Sequence, residues 1–99
     1  TNHLNNVRFY NQNGLNSFFL RKKSYDLIVA NILLTTHRKL VKQYYNKLKN
    51  NGEIVISGIL VEQEMEIMTI FNKFNFKLKK KFYSFKWVAF IFEKKRKRI

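Results

Sequence analysis

The sequence predicts an α/β fold in which parallel strands are followed by an antiparallel β-hairpin. Two apolar runs rich in β-branched residues, at 25–33 and 53–60, are each followed by a segment with helical spacing, and this alternation is typical of a parallel sheet. Residues 76–95 hold two further strand-like runs with almost no connection between them, so these runs must pair as a hairpin. The 99 residues suit one small domain.

The N-terminal segment is expected to contribute one short strand. In the stretch NNVRFYN, Val7 and Phe9 alternate with Arg8 and Tyr10, which is a strand pattern. The stretch that follows, NQNGLNS, is turn-prone. We therefore expect residues 1–24 to be a loosely anchored segment with this one strand.

The strand at 25–33, YDLIVANIL, carries a single amide near its end. Its apolar run, with Ile28 and Val29 at the centre, is typical of a strand that is buried on both faces. Asn31 lies at or just past the carboxyl end, where ligands bind in open α/β sheets. Asn31 is therefore a candidate site residue. The alternative is that it only caps the following turn.

A helix is predicted after this strand. Thr35 or Thr36 can serve as its N-cap, and Gly52 supplies a left-handed exit after its last turn. Its apolar positions recur at helical spacing and are Leu40, Val41, Tyr44 and Leu48.

A second strand at 53–60 leads into a second predicted helix at 61–73. Gly58 lies near the end of this strand, where a glycine marks a bend or a close approach of another group. The helix has three acids early in its sequence, Glu62, Glu64 and Glu66. Glu62 and Glu66 could form a metal-binding or catalytic pair, but stabilisation of the helix dipole explains these acids better.

The C-terminal hairpin is predicted to turn around residues 84–86, with Phe76, Leu78 and Phe82 facing one side. The closing residues 96–99 form a basic tail. A solvated terminus is the simpler interpretation of this tail, and a nucleic-acid contact is the alternative.

Composition excludes several classes of function. The chain has no cysteine, which excludes disulfides, thiolate nucleophiles and sulfur-ligated zinc, and fits a reducing compartment such as the cytoplasm. No apolar run approaches the roughly 20 residues that cross a bilayer, and no secretory signal is recognisable, so no membrane association is expected.

The net charge of +14 and the aromatic content of 16% are compatible with nucleic-acid binding. The alternative is compositional drift, because amino acids with AT-rich codons make up more than half of the chain. Drift is the favoured explanation. Non-specific RNA contact could exist under either cause.

Catalytic motifs are mostly absent. His3 and His37 are far apart, and neither has an obvious acid or serine partner. The chain contains no glycine-rich motif that could hold a phosphate or dinucleotide. The chemistry that remains is positional, with Asn31 and Gly58 at neighbouring strand ends and Trp87 at the start of the last strand.

Three stretches in this order, DLIVANIL, NNGEIVISGILVEQ and KWVAFIFEKK, resemble the PrmA family of methyltransferases, which modify the eleventh protein of the large ribosomal subunit. The resemblance runs from about residue 5 to residue 95. It implies a partial class I, Rossmann-like fold that uses S-adenosylmethionine, with sheet order 3-2-1-4-5-7-6 and strand 7 antiparallel. On that scheme residues 25–95 form the C-terminal half of the catalytic domain.

The resemblance also implies what this chain lacks. The strand at residues 7–10 corresponds to strand 3, and no segment corresponds to strands 1 and 2. The glycine-rich loop and the acid that would hold the cofactor ribose belong to the missing part. We therefore expect residues 25–95 to pack as a four-stranded unit, and the strand at 7–10 to have no sheet to join.

The resemblance implies a role for Asn31 as the catalytic and cofactor-contacting residue. Ile32 and Leu33 continue the same loop and, together with Trp87, are expected to contact the substrate. No metal is expected. The implied partners are a large-subunit ribosomal protein as substrate and a missing N-terminal half.

Two alternatives to an active methyltransferase part remain open. One is an inactive remnant of the same enzyme. The other is a small basic RNA-binding module, which predicts salt-dependent RNA affinity that falls when Lys79, Lys80 and Lys81 are neutralised.

Overall fold

The computed structural model describes residues 7–10, 25–31 and 33–96. Within these ranges, one mixed sheet of five strands packs against two α-helices. The elements in chain order are β1 (Val7–Tyr10), β2 (Tyr25–Asn31), α1 (Leu34–Lys47), β3 (Leu48–Leu60), a 3₁₀ turn (Val61–Gln63), α2 (Glu64–Lys73), β4 (Phe76–Ser84) and β5 (Trp87–Lys94). Neither of these helices is long and apolar enough to span a membrane.

The strand order in the sheet is β1-β2-β3-β5-β4. The first three strands are parallel, and β5 is antiparallel to both of its neighbours. The predicted α/β class with a C-terminal antiparallel hairpin is confirmed. This order also equals the family order 3-2-1-4-5-7-6 with strands 2 and 1 removed.

The N-terminal strand joins the sheet. β1 pairs in parallel with β2, from Val7 opposite Leu27 to Tyr10 opposite Ala30. The expectation that this strand has no sheet to join is therefore wrong, because the unpaired backbone groups along that edge of β2 accept β1 as a neighbour. The rest of the predicted N-terminal segment, residues 1–6 and 11–24, lies outside the described residues, as do residues 97–99 of the basic tail.

The first helix begins earlier than predicted. Leu33 occupies the N-cap position without a side-chain cap, and its carbonyl oxygen accepts hydrogen bonds from the backbone N–H groups of Thr36 and His37, both at 3.0 Å. The prediction of Thr35 or Thr36 as N-cap is wrong, because both lie inside the first turn. Leu48, predicted as helical, starts β3 instead and is buried there.

The turn within the first part of β3 uses two residues differently from the prediction. Asn51 adopts the left-handed conformation, with φ of 66°, in place of Gly52. Gly52 is required for a different reason, since a Cβ at this position would lie 2.8 Å from the carbonyl oxygen of Lys49.

The core lies between the two helices and one face of the sheet. Ile28, Ile54 and Phe92 are opposite one another in register and so share this face. Phe71 of α2 stacks on Phe92 with ring centroids 4.4 Å apart, and Tyr44 of α1 packs against Phe71 at 6.3 Å. All five side chains are buried. The aromatic stack therefore joins both helices to the sheet.

The opposite face of the sheet is less covered. Leu27, Val29, Val55 and Ile91 alternate with the core residues along their strands, and all four are half-buried. Within the described part of the chain, the core contacts of α1 and α2 are on the other side.

The predicted hairpin is confirmed, with Phe85 and Lys86 as its two-residue turn. A β-bulge between Leu78 and Lys80 changes the alternation along β4. Leu78 is opposite Phe92, but Phe82 is opposite Ala89 and therefore points to the other face. The expectation that Phe82 faces the same side as Leu78 is wrong for this reason.

Candidate functional site

The carboxyl ends of β2 and β3 and the start of β5 meet at one edge of the sheet. Asn31, the last residue of β2, is exposed and lies opposite Ser57 in register. Trp87, the first residue of β5, lies opposite Leu60 at the end of β3. Because side chains alternate along a strand, Asn31 shares the less covered face with Val29.

A cleft of about 490 Å³ opens at this edge. Its volume lies in the range of about 300–1,000 Å³ that is usual for small-molecule sites. The lining contains polar and aromatic side chains without a charged group: Asn31, Ser57, Gly58, Phe82, Ser84, Trp87, Val88 and Ala89. Such a lining suits a ligand whose reacting part must be neutral.

Gly58 produces the bend that the sequence indicated near the end of β3. The register of β3 against β5 shifts between Ile56 and Ile59, and Gly58 has φ of 81°. This left-handed conformation is one that glycine adopts without a Cβ penalty. The bend places Ser57 and Gly58 at the wall of the cleft.

Trp87 lies between two clefts. It lines the first one with Asn31, and a second one of about 230 Å³ with Leu33 and Gly58. The structure therefore brings together three of the four predicted site residues, Asn31, Leu33 and Trp87. The fourth, Ile32, lies outside the described residues.

The position of Trp87 is fixed by its backbone neighbours. The carbonyl oxygen of Lys86, the preceding residue, accepts a hydrogen bond of 2.8 Å from the N–H of Val61. Trp87 itself pairs with Ser84 across the hairpin and with Leu60 of β3. The ring is 44% exposed, so it is held at the site without being part of the core.

His37 is a site-supporting residue that the sequence did not identify. It is fully buried, its Nδ1 lies 3.0 Å from the hydroxyl of Tyr44, and its Nε2 lies 3.4 Å from the carbonyl oxygen of Ser57. An imidazole with its proton on Nε2 donates to Ser57 and accepts from Tyr44. His37 thus connects α1 to the strand end that lines the cleft. The other histidine, His3, lies outside the described residues.

The sequence contained a weak indication that His37 is buried. His37 precedes Leu40, Val41 and Tyr44 by three, four and seven residues, which puts it on the buried face of α1. That spacing predicts burial. It does not predict a contact with Ser57, which is 20 residues away.

Two of the three early acids of the second predicted helix, Glu64 and Glu66, form ion pairs with basic side chains of the protein. Glu66 forms an ion pair with Arg38 of α1. Glu64 lies 2.5 Å from the Nζ of Lys81, and the hydroxyl of Tyr83 donates to both of its carboxylate oxygens, at 2.9 and 2.8 Å. The described ranges contain no group of three potential metal ligands, so the structure gives no support to a metal site at Glu62 and Glu66.

These contacts shift the ionisation of Glu64 and Lys81. The hydrogen bond from Lys81, followed by that from Tyr83, lowers the pKa of Glu64 below its ordinary value of 4.5. The hydrogen bond to Glu64 is the main cause that raises the pKa of Lys81 above 10.5. The pair is charged at neutral pH and ties β4 to the start of α2.

Comparison with known proteins identifies the family. The family described as Ribosomal protein L11 methyltransferase (PrmA) matches residues 1–95. The ribosomal protein L11 methyltransferase of Prochlorococcus marinus (strain MIT 9312) is 38% identical over 77 residues, covering 76% of this chain and 25% of that protein. The corresponding protein of Lactobacillus johnsonii is 36% identical over 73 residues, covering 74% of this chain and 23% of its own length.

Solved structures agree in fold. The ribosomal protein L11 methylase of Lactobacillus delbrueckii subsp. bulgaricus has a TM-score of 0.71 and 28% identity, over 75% of this chain and 38% of that one. The fibrillarin pre-rRNA processing protein of Methanococcus jannaschii has a TM-score of 0.67 at 19% identity, over 86% of this chain and 43% of that one, and it supports the fold alone.

The matched region is the C-terminal part of the relatives, and the chain spans about a quarter of the length of the curated relatives that it matches. The resemblance noted in the sequence is confirmed, and so is the partial Rossmann-like fold. The chain belongs to the ribosomal protein L11 methyltransferase (PrmA) family.

Proposed function

We propose that this chain forms the C-terminal part of an S-adenosylmethionine-dependent protein N-methyltransferase that acts on a large-subunit ribosomal protein in the cytoplasm. Family membership supports the reaction class. The proposal is assigned to particular residues by one observation. Asn31 is exposed and lines an uncharged cleft with Ser57 and Trp87 at the carboxyl edge of the sheet.

In this proposal Asn31 orients the amine of the substrate. Methyl transfer needs a neutral amine whose lone pair is aligned with the methyl carbon. The side-chain oxygen of Asn31 can accept an N–H hydrogen bond, which fixes the amine in that alignment without adding a full charge. A carboxylate at this position would favour the protonated ammonium form, which has no lone pair to react.

The walls of the cleft have a separate role. Phe82 and Trp87 are large, partly exposed rings at its mouth. Against a bound side chain they would exclude water and provide apolar contact for its methylene groups. Ile32 and Leu33 are proposed to continue the substrate-contacting surface, and Leu33 lines the adjoining cleft with Trp87.

The cofactor fits this chain only in part. S-adenosylmethionine would supply a methyl group on a positively charged sulfonium, and the cleft lined by Asn31 and Gly58 contains no cationic side chain that would repel it. The chain has three glycines, Gly14, Gly52 and Gly58, and these are too far apart to form a glycine-rich loop. No carboxylate lines the cleft to hold the ribose. We propose that the glycine-rich loop and the ribose-binding carboxylate are supplied by the upstream part of the relatives, which this chain does not cover.

Calorimetry with S-adenosylmethionine tests this proposal. One sample is the 99-residue chain, and the other is the same chain fused to the preceding part of the Prochlorococcus marinus relative. We expect binding by the fusion and none by the chain alone. Tight binding by the chain alone would show that the cofactor does not need groups from the upstream part. A folded fusion that binds no cofactor would favour an inactive remnant.

A further inference from the structure

We propose that the hairpin tip, defined as residues 80–87, binds single-stranded RNA by stacking bases on its aromatic rings and holding phosphates with its lysines. This inference does not rest on methyl transfer, although Phe82 and Trp87 of the tip also line the cleft described above. It concerns a surface formed by the end of β4, the turn and the start of β5.

The hairpin tip exposes an unusual amount of aromatic surface. Its four rings are exposed by 100% for Phe85, 58% for Tyr83, 47% for Phe82 and 44% for Trp87. Single-stranded nucleic acid is recognised by stacking of unpaired bases on rings of this kind. The rings lie within eight consecutive residues, so one short strand of RNA can reach several of them.

Phe85 is the clearest member of this set. It is fully exposed, so it contributes no apolar burial to the fold. It also adopts φ of 53°, a left-handed conformation that is costly for a bulky side chain and that hairpin turns usually assign to Asn or Gly. Folding therefore gains nothing from a phenylalanine here, and such outliers concentrate at functional sites.

Lysine ammonium groups lie beside the same rings. Lys80 Nζ is 5.2 Å from the ring centroid of Phe82, and Lys86 Nζ is 5.6 Å from that of Trp87. Both distances are within the range of cation–π contact. Where a cation lies next to an aromatic ring, the ring can stack on a base while the cation binds the adjacent phosphate.

The nearby acids are occupied by other lysines. Glu64 is paired with Lys81, and Glu93 lies 3.8 Å from Lys79. Among the described residues, Lys80 and Lys86 form no ion pair. The three lysines that the sequence suggested for RNA binding are therefore not equivalent. Lys80, together with Lys86 of the turn, is the pair that we assign to phosphate binding.

A role in preventing edge-to-edge pairing with other chains explains only some of the residues on this surface. Lysines on an edge strand discourage pairing with other chains, and β4 is the edge strand that carries Lys80. That explanation does not extend to Phe85 and Lys86, which lie in the turn. Exposed rings match unstacked bases, whereas a duplex hides the faces of its bases.

The test measures binding of the 99-residue chain to a fluorescein-labelled 12-nucleotide RNA of mixed sequence by anisotropy. The first variants are Phe85→Leu, which keeps an apolar side chain but removes the ring, and Phe85→Trp, which keeps a ring. Met65→Ala removes an exposed apolar side chain elsewhere and serves as control. Circular dichroism melting checks that each variant is folded.

The second comparison changes charge by the same amount at two places. Lys80→Gln with Lys86→Gln is compared with Lys39→Gln and Lys42→Gln, which are exposed on α1. A duplex RNA of the same length and polyglutamate are the competing ligands. Binding is measured over a range of salt concentrations.

We expect Phe85→Leu to weaken RNA binding by at least about fivefold, while Phe85→Trp binds at least as well as the wild type. The hairpin lysine pair should lower the salt slope by about 0.7 for each phosphate that the variant no longer neutralises, and by more than the α1 pair. The proposal would be overturned if the chain bound no RNA, or if the two lysine pairs caused equal losses of affinity. It would also be overturned if duplex RNA bound as tightly as single-stranded RNA, or if polyglutamate competed as well as single-stranded RNA does.

Discussion

The imidazole of His37 contacts the carbonyl oxygen of Ser57 at 3.4 Å, and it thereby links a buried helix position to the wall of the cleft. The same ring is 3.0 Å from the hydroxyl of Tyr44. The cleft wall is thus supported from behind by a buried polar network. Buried polar groups of this kind are costly to leave without partners.

Replacing His37 by Phe is expected to destabilise the protein by about 1–3 kcal/mol, because buried polar groups lose a partner. Tyr44→Phe removes one of the same hydrogen bonds. Urea unfolding of both single variants and of the double variant gives a coupling energy, which we expect to be at least about 0.5 kcal/mol. Strict additivity of the two changes would contradict the network.

Gly58→Ala is expected to destabilise the protein by about 1–2 kcal/mol, because φ of 81° places a Cβ in the left-handed region. The change also alters the bend that presents Ser57 to the cleft. Thermal and urea unfolding measure the effect. Ser84→Ala, at an exposed residue that lines the same cleft, is the control and should change stability by less than about 0.5 kcal/mol. A neutral Gly58→Ala would show that the bend is not required.

Phe71→Ala is expected to cost about 3–5 kcal/mol, because it removes a large buried side chain that packs against both Tyr44 and Phe92. The matched control is Met65→Ala on the exposed face of the same helix, for which we expect less than about 0.5 kcal/mol. Urea unfolding measures both. Similar values for the two variants would contradict the packing of α2 on the sheet.

Glu64→Gln tests the ion pair with Lys81 through pH. The pKa of Glu64 is lowered in the folded state, so its stabilising contribution is present above its ordinary value of 4.5 and is lost as pH falls through the lowered pKa. The melting temperature of the wild type should exceed that of the variant at pH 7, and this difference should shrink below about pH 4.5. A difference that stays constant down to pH 2 would contradict the pair.

The order of the elements could be predicted because it depends on local patterns. The apolar runs at 25–33 and 53–60 and the short hairpin connection specify strands. Parallel strands end at one edge of the sheet, and a strand antiparallel to them, such as β5, begins at that same edge. Asn31 and Trp87 could therefore be expected near each other. Their contact roles remain predictions.

Other features depend on tertiary structure that no local pattern reports. The bulge that turns Phe82 to the other face lies within the run Lys79, Lys80, Lys81, which has no alternation from which register could be predicted. The pairing of β1 with β2 depends on which edge is free. The contact of His37 with Ser57 depends on how α1 lies over β3.

We propose that Asn31 orients the amine of the substrate at the cleft. This role is tested by methylation of the ribosomal protein by the fusion described above, with Asn31→Ala compared with Asn46→Ala, an exposed asparagine on α1. Methyl groups are counted by mass spectrometry, and calorimetry reports cofactor binding in parallel. We predict that Asn31→Ala lowers kcat/KM by about 100-fold, while Asn46→Ala leaves it unchanged. Wild-type kcat/KM in Asn31→Ala would contradict this role of Asn31.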